Sequence, residues 1–174
     1  ACLVGSEMCI RDSSKRGYIN LLLNPDKATN NPGDSKESLV ARKAYLNKGY
    51  YDPILDQVIT CIDEFKHQDD LSILDLGCGE GYYTQGLKKH FENSDIYGLD
   101  ISKIAIDMAT RYRKDVTWLV GNSKNIPILD HSLDFICALF TVVNQDELKR
   151  ALKEDGYIVH AVSYTHLRAH ETGR

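Results

Sequence analysis

Leu74–Gly86 reads LDLGCGEGYYTQG, with three glycines at alternating positions directly behind a short apolar run. A glycine-rich turn between a strand and a helix lets backbone approach a ligand closely and aims helix N-terminal N–H groups at it. Outward from this turn, apolar strand patterns SILDL, DIYGLD, VTWLV, LDFICALF and GYIVHAV are interleaved with helical patterns GYYTQGLKKHF, SKIAIDMATRY and QDELKRAL. Short apolar strands alternating with helices need crossover connections and a sheet covered on both faces. The pattern predicts a doubly wound, mostly parallel, Rossmann-like α/β domain, cut after about its fifth strand.

The chain has 174 residues, 43% hydrophobic and 26% charged, the balance of one globular domain. Its formal charge of −4 opposes a surface built on its own to wrap nucleic acid, so any RNA contact must be local. No apolar stretch approaches a membrane span, and Glu7 interrupts the short apolar head. A cytoplasmic enzyme with no membrane partner is expected.

The two ends share a relation that protein chemistry does not explain. CLVGSEMCIRDS near the head and VSYTHLRAHET near the tail can be encoded by DNA strings that are reverse complements over the tail's length. Such a string resembles a transposase-type sequencing adapter read from both strands. Residues 1–13 and 162–174 are therefore expected to be non-native and are set aside, with Cys2, Cys9, His166 and His170 as metal-ligand candidates. The natural protein is expected to be longer than the remaining segment.

Residues 14–33 open with a short β-like or extended apolar piece, YINLLL, followed by a polar Asn/Pro/Gly loop, and read as a connector from an upstream domain. The domain proper is expected over 34–161. Asp34 with Glu37 three residues on predicts a capped helix stopping at Gly49. A second helix is expected with Pro53 at its first position, and Ile54, Leu55, Val58, Ile59, Ile62 and Phe65 at helical spacing.

The glycine turn separates two cofactor classes. Gly77, Gly79 and Gly81 give Gly-x-Gly-x-Gly, and Tyr82 stands where the dinucleotide fingerprint wants a small residue, which counts against NAD. Asp75, two residues before Gly77, puts a carboxylate where it suits cationic ligand groups rather than phosphates. The resulting Asp-x-Gly-x-Gly-x-Gly resembles motif I of class I S-adenosylmethionine methyltransferases. Asp100, about twenty residues on, is suited to accept ribose hydroxyls. Asn122 has the donor and acceptor for adenine but reads equally as a turn residue. Cys78 reads as a small filler of the turn rather than a nucleophile.

GYINLL, PGDSKESLVARKAYLNKGYYDPI, ILDLGCGEGYYT and GLDISKIAI, in this order, resemble the bacterial 23S rRNA (guanine-N1)-methyltransferases. The resemblance implies S-adenosylmethionine as cofactor and 23S rRNA as partner. It also implies cofactor contacts from Tyr51 and the pair Gly79–Glu80. With Asp75, Gly77, Cys78, Gly81, Asp100, Ile101 and Asn122 these form the expected cofactor-binding set. The family's small zinc-binding domain has no counterpart upstream of Lys15, so no metal site is expected. Asn144 and Asp146 are weak catalytic candidates for orienting the base edge and taking its proton, although a helix cap explains them as well. Tyr50 and Phe140 are aromatic candidates for meeting a base drawn out of its stack. Two other outcomes are a methyltransferase acting on a small molecule and an inactive fragment that binds S-adenosylmethionine.

Overall fold

The computed structural model describes residues 17–22 and 34–162. In chain order the elements are β1 (Tyr18–Asn20), α1 (Lys36–Leu46), α2 (Asp52–Phe65), β2 (Ser72–Leu76), α3 (Tyr82–His90), β3 (Asp95–Asp100), α4 (Lys103–Ala109), β4 (Thr117–Val120), β5 (Leu133–Leu139), α5 (Gln145–Ala151) and β6 (Leu152–Ala161). The strands form one sheet in the order β1-β4-β3-β2-β5-β6, and every pairing is parallel. Chain order runs outward from β2 through β3 to β4 on one side and through β5 to β6 on the other. Beyond the ends of β2 and β5 a crevice therefore opens, where doubly wound sheets take their ligands.

Strand alternation divides the core in two. Ile73, Ile96, Trp118, Phe135 and Cys137 face one side and pack with Val58 and Ile62 of α2, Leu87 of α3 and Ile106 of α4. Leu74, Leu76, Leu99, Leu119 and Ile136 face the other side, against Leu148 of α5 and the loop residues Ile126 and Ile128. Full burial of a Val, Leu or Ile side chain contributes about 1.5–3 kcal/mol, so Val58 and Ile62 are the main anchors of α2 on the sheet. Arg150 of α5 secures the second side: its guanidinium donates to Ile126 O at 2.7 Å and Ile128 O at 2.9 Å while pairing with Glu147. Among the described residues no helix is long and apolar enough to cross a membrane.

The β-like piece at Tyr18–Asn20 is an edge strand paired with Trp118–Val120, so the sheet reaches into residues 14–33. Two expectations are corrected. The cap of α1 is Ser35, whose hydroxyl accepts from Ser38 N at 3.2 Å, and not Asp34, whose carboxylate pairs with Arg42 at 3.5 Å. Helix α2 begins at Asp52, one residue ahead of Pro53. The proposed adapter segments, with Cys2, Cys9, His166 and His170, lie outside the described residues apart from Val162.

Candidate functional site

The glycine loop is fastened to the end of β3. Gly77 N and Cys78 N both donate to Leu99 O, at 2.8 and 3.1 Å. Gly79 N donates to Asp100 Oδ2 at 2.9 Å, and Ser102 N donates to Asp100 Oδ1 at 2.7 Å. One carboxylate thus joins the loop after β2 to the start of α4. Each of its oxygens has a further lone pair, so acceptance from a ligand's hydroxyls remains open.

Two of the glycines are required for different reasons. Gly81 has φ +86°, and a Cβ there would lie 2.6 Å from the Trp118 ring, so the residue must be both left-handed and bare. Gly79 has φ +57° and nothing within 4 Å of the place a Cβ would take. Protein atoms do not fill that place. Open space over exposed loop backbone is the cradle that close approach of a cofactor needs.

Three acids lie around the loop. Strand alternation turns Asp75 toward α3, where Thr84 Oγ1 donates to its Oδ2 at 2.5 Å. Asp75 is 2% exposed, and burial raises its pKa to about 7. Burial also raises Asp100, against the pull of its two backbone donors. Glu80, equally buried, is raised by the same cause, while Arg42 and Lys43 of α1 oppose the shift. An acid-rich recess favours ammonium and sulfonium groups and disfavours phosphates. It fits S-adenosylmethionine better than a dinucleotide.

A small cavity lies beyond the strand ends, lined by Gly77, Asp100, Ile101, Asn122, Ser123 and Thr141 among others. The expected residues Gly77, Asp100, Ile101 and Asn122 meet there. Asn122 Oδ1 accepts from Lys124 N at 3.0 Å, which makes the turn and leaves the amide N–H donors for a ligand. Both roles foreseen for Asn122 are thus compatible. Ser123 and Thr141 escaped the sequence reading, as did Arg42. Only the position of Thr141, just past the fourth strand counted from the glycine turn, could have signalled it.

The remaining candidates take structural places. Tyr51 holds the N-cap position of α2 without a side-chain cap bond, and its ring meets Phe140 edge-on at 6.3 Å. Cys78 is buried, with its Sγ 3.8 Å from Gly79 O and its thiol pKa pushed well up by burial, which suits a filler and not a nucleophile. Asn144 caps α5 by accepting from Asp146 N at 3.1 Å, and Asp146 is exposed in the first turn. Neither residue lines the cavity. The cap reading of the pair is thus present in the structure, with the Asp146 carboxylate itself left exposed.

Comparison with known proteins agrees with this geometry. Residues 73–156 match the family described as "Methyltransferase domain". The match covers just under half of the chain. S-adenosylmethionine is the cofactor such domains use, and the recess around Gly79 suits it. The chain is similar to a solved S-adenosylmethionine-dependent methyltransferase from Aquifex aeolicus, with 27% identity and a TM-score of 0.53 over 61% of this chain and 62% of that one. YxjB of Bacillus subtilis (strain 168), whose name provisionally assigns it as a 23S rRNA (guanine-N(1)-)-methyltransferase, is 31% identical over 87% of this chain and 54% of its own length. The 23S rRNA (guanine(748)-N(1))-methyltransferase of Streptomyces fradiae is 25% identical over 94% of this chain and 62% of its own. The chain thus spans little more than half the length of these curated relatives. Both similarities extend well upstream of residue 73, through α1 and the turn into α2.

Proposed function

We propose that the protein transfers a methyl group from S-adenosylmethionine to N1 of a guanine in 23S rRNA. The observation that carries the substrate is the reach of the similarity. The methyltransferase domain is common to enzymes with many substrates, whereas the likeness to the two rRNA enzymes continues through α1 and the α1–α2 turn that border the site.

Bound S-adenosylmethionine supplies a methyl group already activated on a sulfonium. The chain's own contribution is then alignment and exclusion of water. Asp100 accepts from the nucleoside hydroxyls, Asn122 donates toward the base of the cofactor, and the Gly77–Gly81 backbone lies against the amino-acid portion. Glu80 and Asp100 supply the negative field that favours the cationic groups, and Asp75 adds to it only as pH rises through about 7. Tyr51 and Phe140 close the side nearest the turn. Guanine N1 carries a proton at neutral pH that must be accepted during transfer, and Asn144 and Asp146 are not proposed for that step.

The test is incubation with tritiated S-adenosylmethionine and either transcribed 23S rRNA or a pool of small metabolites, followed by nucleoside analysis. Label recovered as N1-methylguanosine is the expected result. Label found only in the metabolite pool would replace the substrate and keep the reaction.

A further inference from the structure

We propose that the aromatic face running from Tyr50 through Tyr45 and Tyr51 to Phe140 is a stacking platform for unpaired RNA bases that flank the reacting guanine. The inference rests on the RNA reading above and assigns it a surface. Ring centroids are 5.4 Å apart between Tyr50 and Tyr45, 6.0 Å between Tyr45 and Tyr51, and 6.3 Å between Tyr51 and Phe140. The outer two rings lie in solvent, Tyr50 being 63% and Tyr45 49% exposed. A single exposed tyrosine needs no explanation, but a continuous series of rings whose inner member directly precedes a residue of the cavity wall does. Unpaired bases of RNA loops stack on such rings whatever their sequence.

The inner end of the series is held in place by the backbone. Phe140 has φ +59°, a left-handed conformation uncommon for a bulky residue. Its N–H donates to Ala161 O at 2.8 Å, which ties the turn to β6. The next residue, Thr141, lines the cavity with Gly77 and Asp100. Phe140, at the inner end of the series, therefore lies next in the chain to a residue of the cofactor recess. A guanine brought up to the recess past Phe140 would leave its flanking bases on the tyrosines.

Local charge suits the same partner. The chain carries −4 in total, yet between residues 36 and 51 Lys36, Arg42, Lys43 and Lys48 face Glu37 as the only carboxylate. Asp34 engages Arg42, and the Lys43 amine lies over the Tyr112 ring at 3.3 Å. Lys36 and Lys48 are exposed, and Lys48 falls between Tyr45 and Tyr50 in the chain. Cations interleaved with aromatic rings suit single-stranded nucleic acid, whose backbone and bases they meet separately.

The experiment measures fluorescence anisotropy of a fluorescein-labelled single-stranded oligoribonucleotide, and of the same strand with abasic sites, on the full chain. Three proteins are compared: the parent, the Tyr45→Ala/Tyr50→Ala double variant and the Tyr45→Phe/Tyr50→Phe double variant. Calorimetric titration with S-adenosylhomocysteine accompanies each and reports the fold and the cofactor site. The expected result is binding about tenfold weaker in the alanine variant, retained in the phenylalanine variant, and weakened in the parent by abasic sites. Equal RNA binding by the alanine variant and the parent would overturn the platform and leave the RNA reading standing. A parent that binds S-adenosylhomocysteine but ignores RNA would overturn both and leave the methyltransferase domain untouched.

Discussion

Gly79 and Asp100 are joined by a hydrogen bond of 2.9 Å from backbone N–H to carboxylate, so the loop and the proposed ribose acceptor share one anchor. Asp100→Ala leaves the N–H groups of both Gly79 and Ser102 without their acceptor. The expected cost is about 1–3 kcal/mol of stability. Affinity for S-adenosylhomocysteine should fall at least about tenfold, since each 1.4 kcal/mol lost is a factor of ten. Urea denaturation and calorimetric titration read the two effects separately. Unchanged affinity in a folded Asp100→Ala protein would remove Asp100 from the cofactor site.

Gly98 and Gly79 should respond differently to alanine. A Cβ on Gly98 would stand 2.5 Å from Cζ3 of Trp118, a ring that is 1% exposed and cannot retreat. Gly98→Ala is expected to cost about 1–3 kcal/mol through overpacking, read as a lowered Tm. Gly79→Ala meets no atom, so its stability cost is only that of its left-handed backbone, about 1–2 kcal/mol. Its main effect should be weaker S-adenosylhomocysteine binding. Tight binding by Gly79→Ala would show that the cofactor does not approach the loop there.

The buried Asp75 makes stability depend on pH with a definite sign. Its folded pKa of about 7 lies above the ordinary 3.8, so between these values the folded protein keeps a proton that the unfolded chain has released. Asp75 therefore favours folding below the lower value, and that contribution is lost as pH rises through about 7, at up to about 1.4 kcal/mol per pH unit. Asp100 and Glu80, also raised by burial, act in the same direction. Urea midpoints between about pH 4 and pH 8 should fall for the parent and flatten for Asp75→Asn. A parent and variant with parallel profiles would mean that Asp75 titrates normally.

Arg150 offers a test of the loop that follows Asn122. Its guanidinium holds the carbonyls of Ile126 and Ile128 and the carboxylates of Glu147 and Asp130. Arg150→Lys keeps the charge but cannot reproduce the planar fork. Lysine should cost about 1–3 kcal/mol, with hydrogen exchange of the 122–130 segment accelerated before that of β2 or β3. Uniform acceleration across the sheet would mean that the fork does not act locally.

Sequence made the sheet legible from Ser72 onward because β2 to β5 are largely buried on both faces and short apolar runs alternate with helical patterns, so period and punctuation coincide. Strand β1 was legible as a β-like piece but not as part of this sheet, because three residues have no period and only tertiary register sets them against Trp118–Val120. The cap of α1 was misplaced by one residue because Asp34 and Ser35 are both good acceptors, and the pull of Arg42 on Asp34 is a tertiary matter. In the site, Gly77, Asp100, Ile101 and Asn122 were readable from spacing. Ser123, Thr141 and Arg42 are ordinary residue types that only topology brings to the cavity or its acids. Asn144 and Asp146 carried two meanings in sequence, and the hydrogen bond between them accounts for the cap.

Trp118 is the chain's sole tryptophan, and it lies directly beneath the backbone of Gly81 and Gly98. Its indole N–H donates to Arg113 O at 2.8 Å, which fixes the ring's orientation in a dry environment. The glycine loop therefore comes with a built-in optical probe. Intrinsic emission from this one fluorophore follows the loop's order without any label, and a red shift marks water reaching the place where the loop has come away.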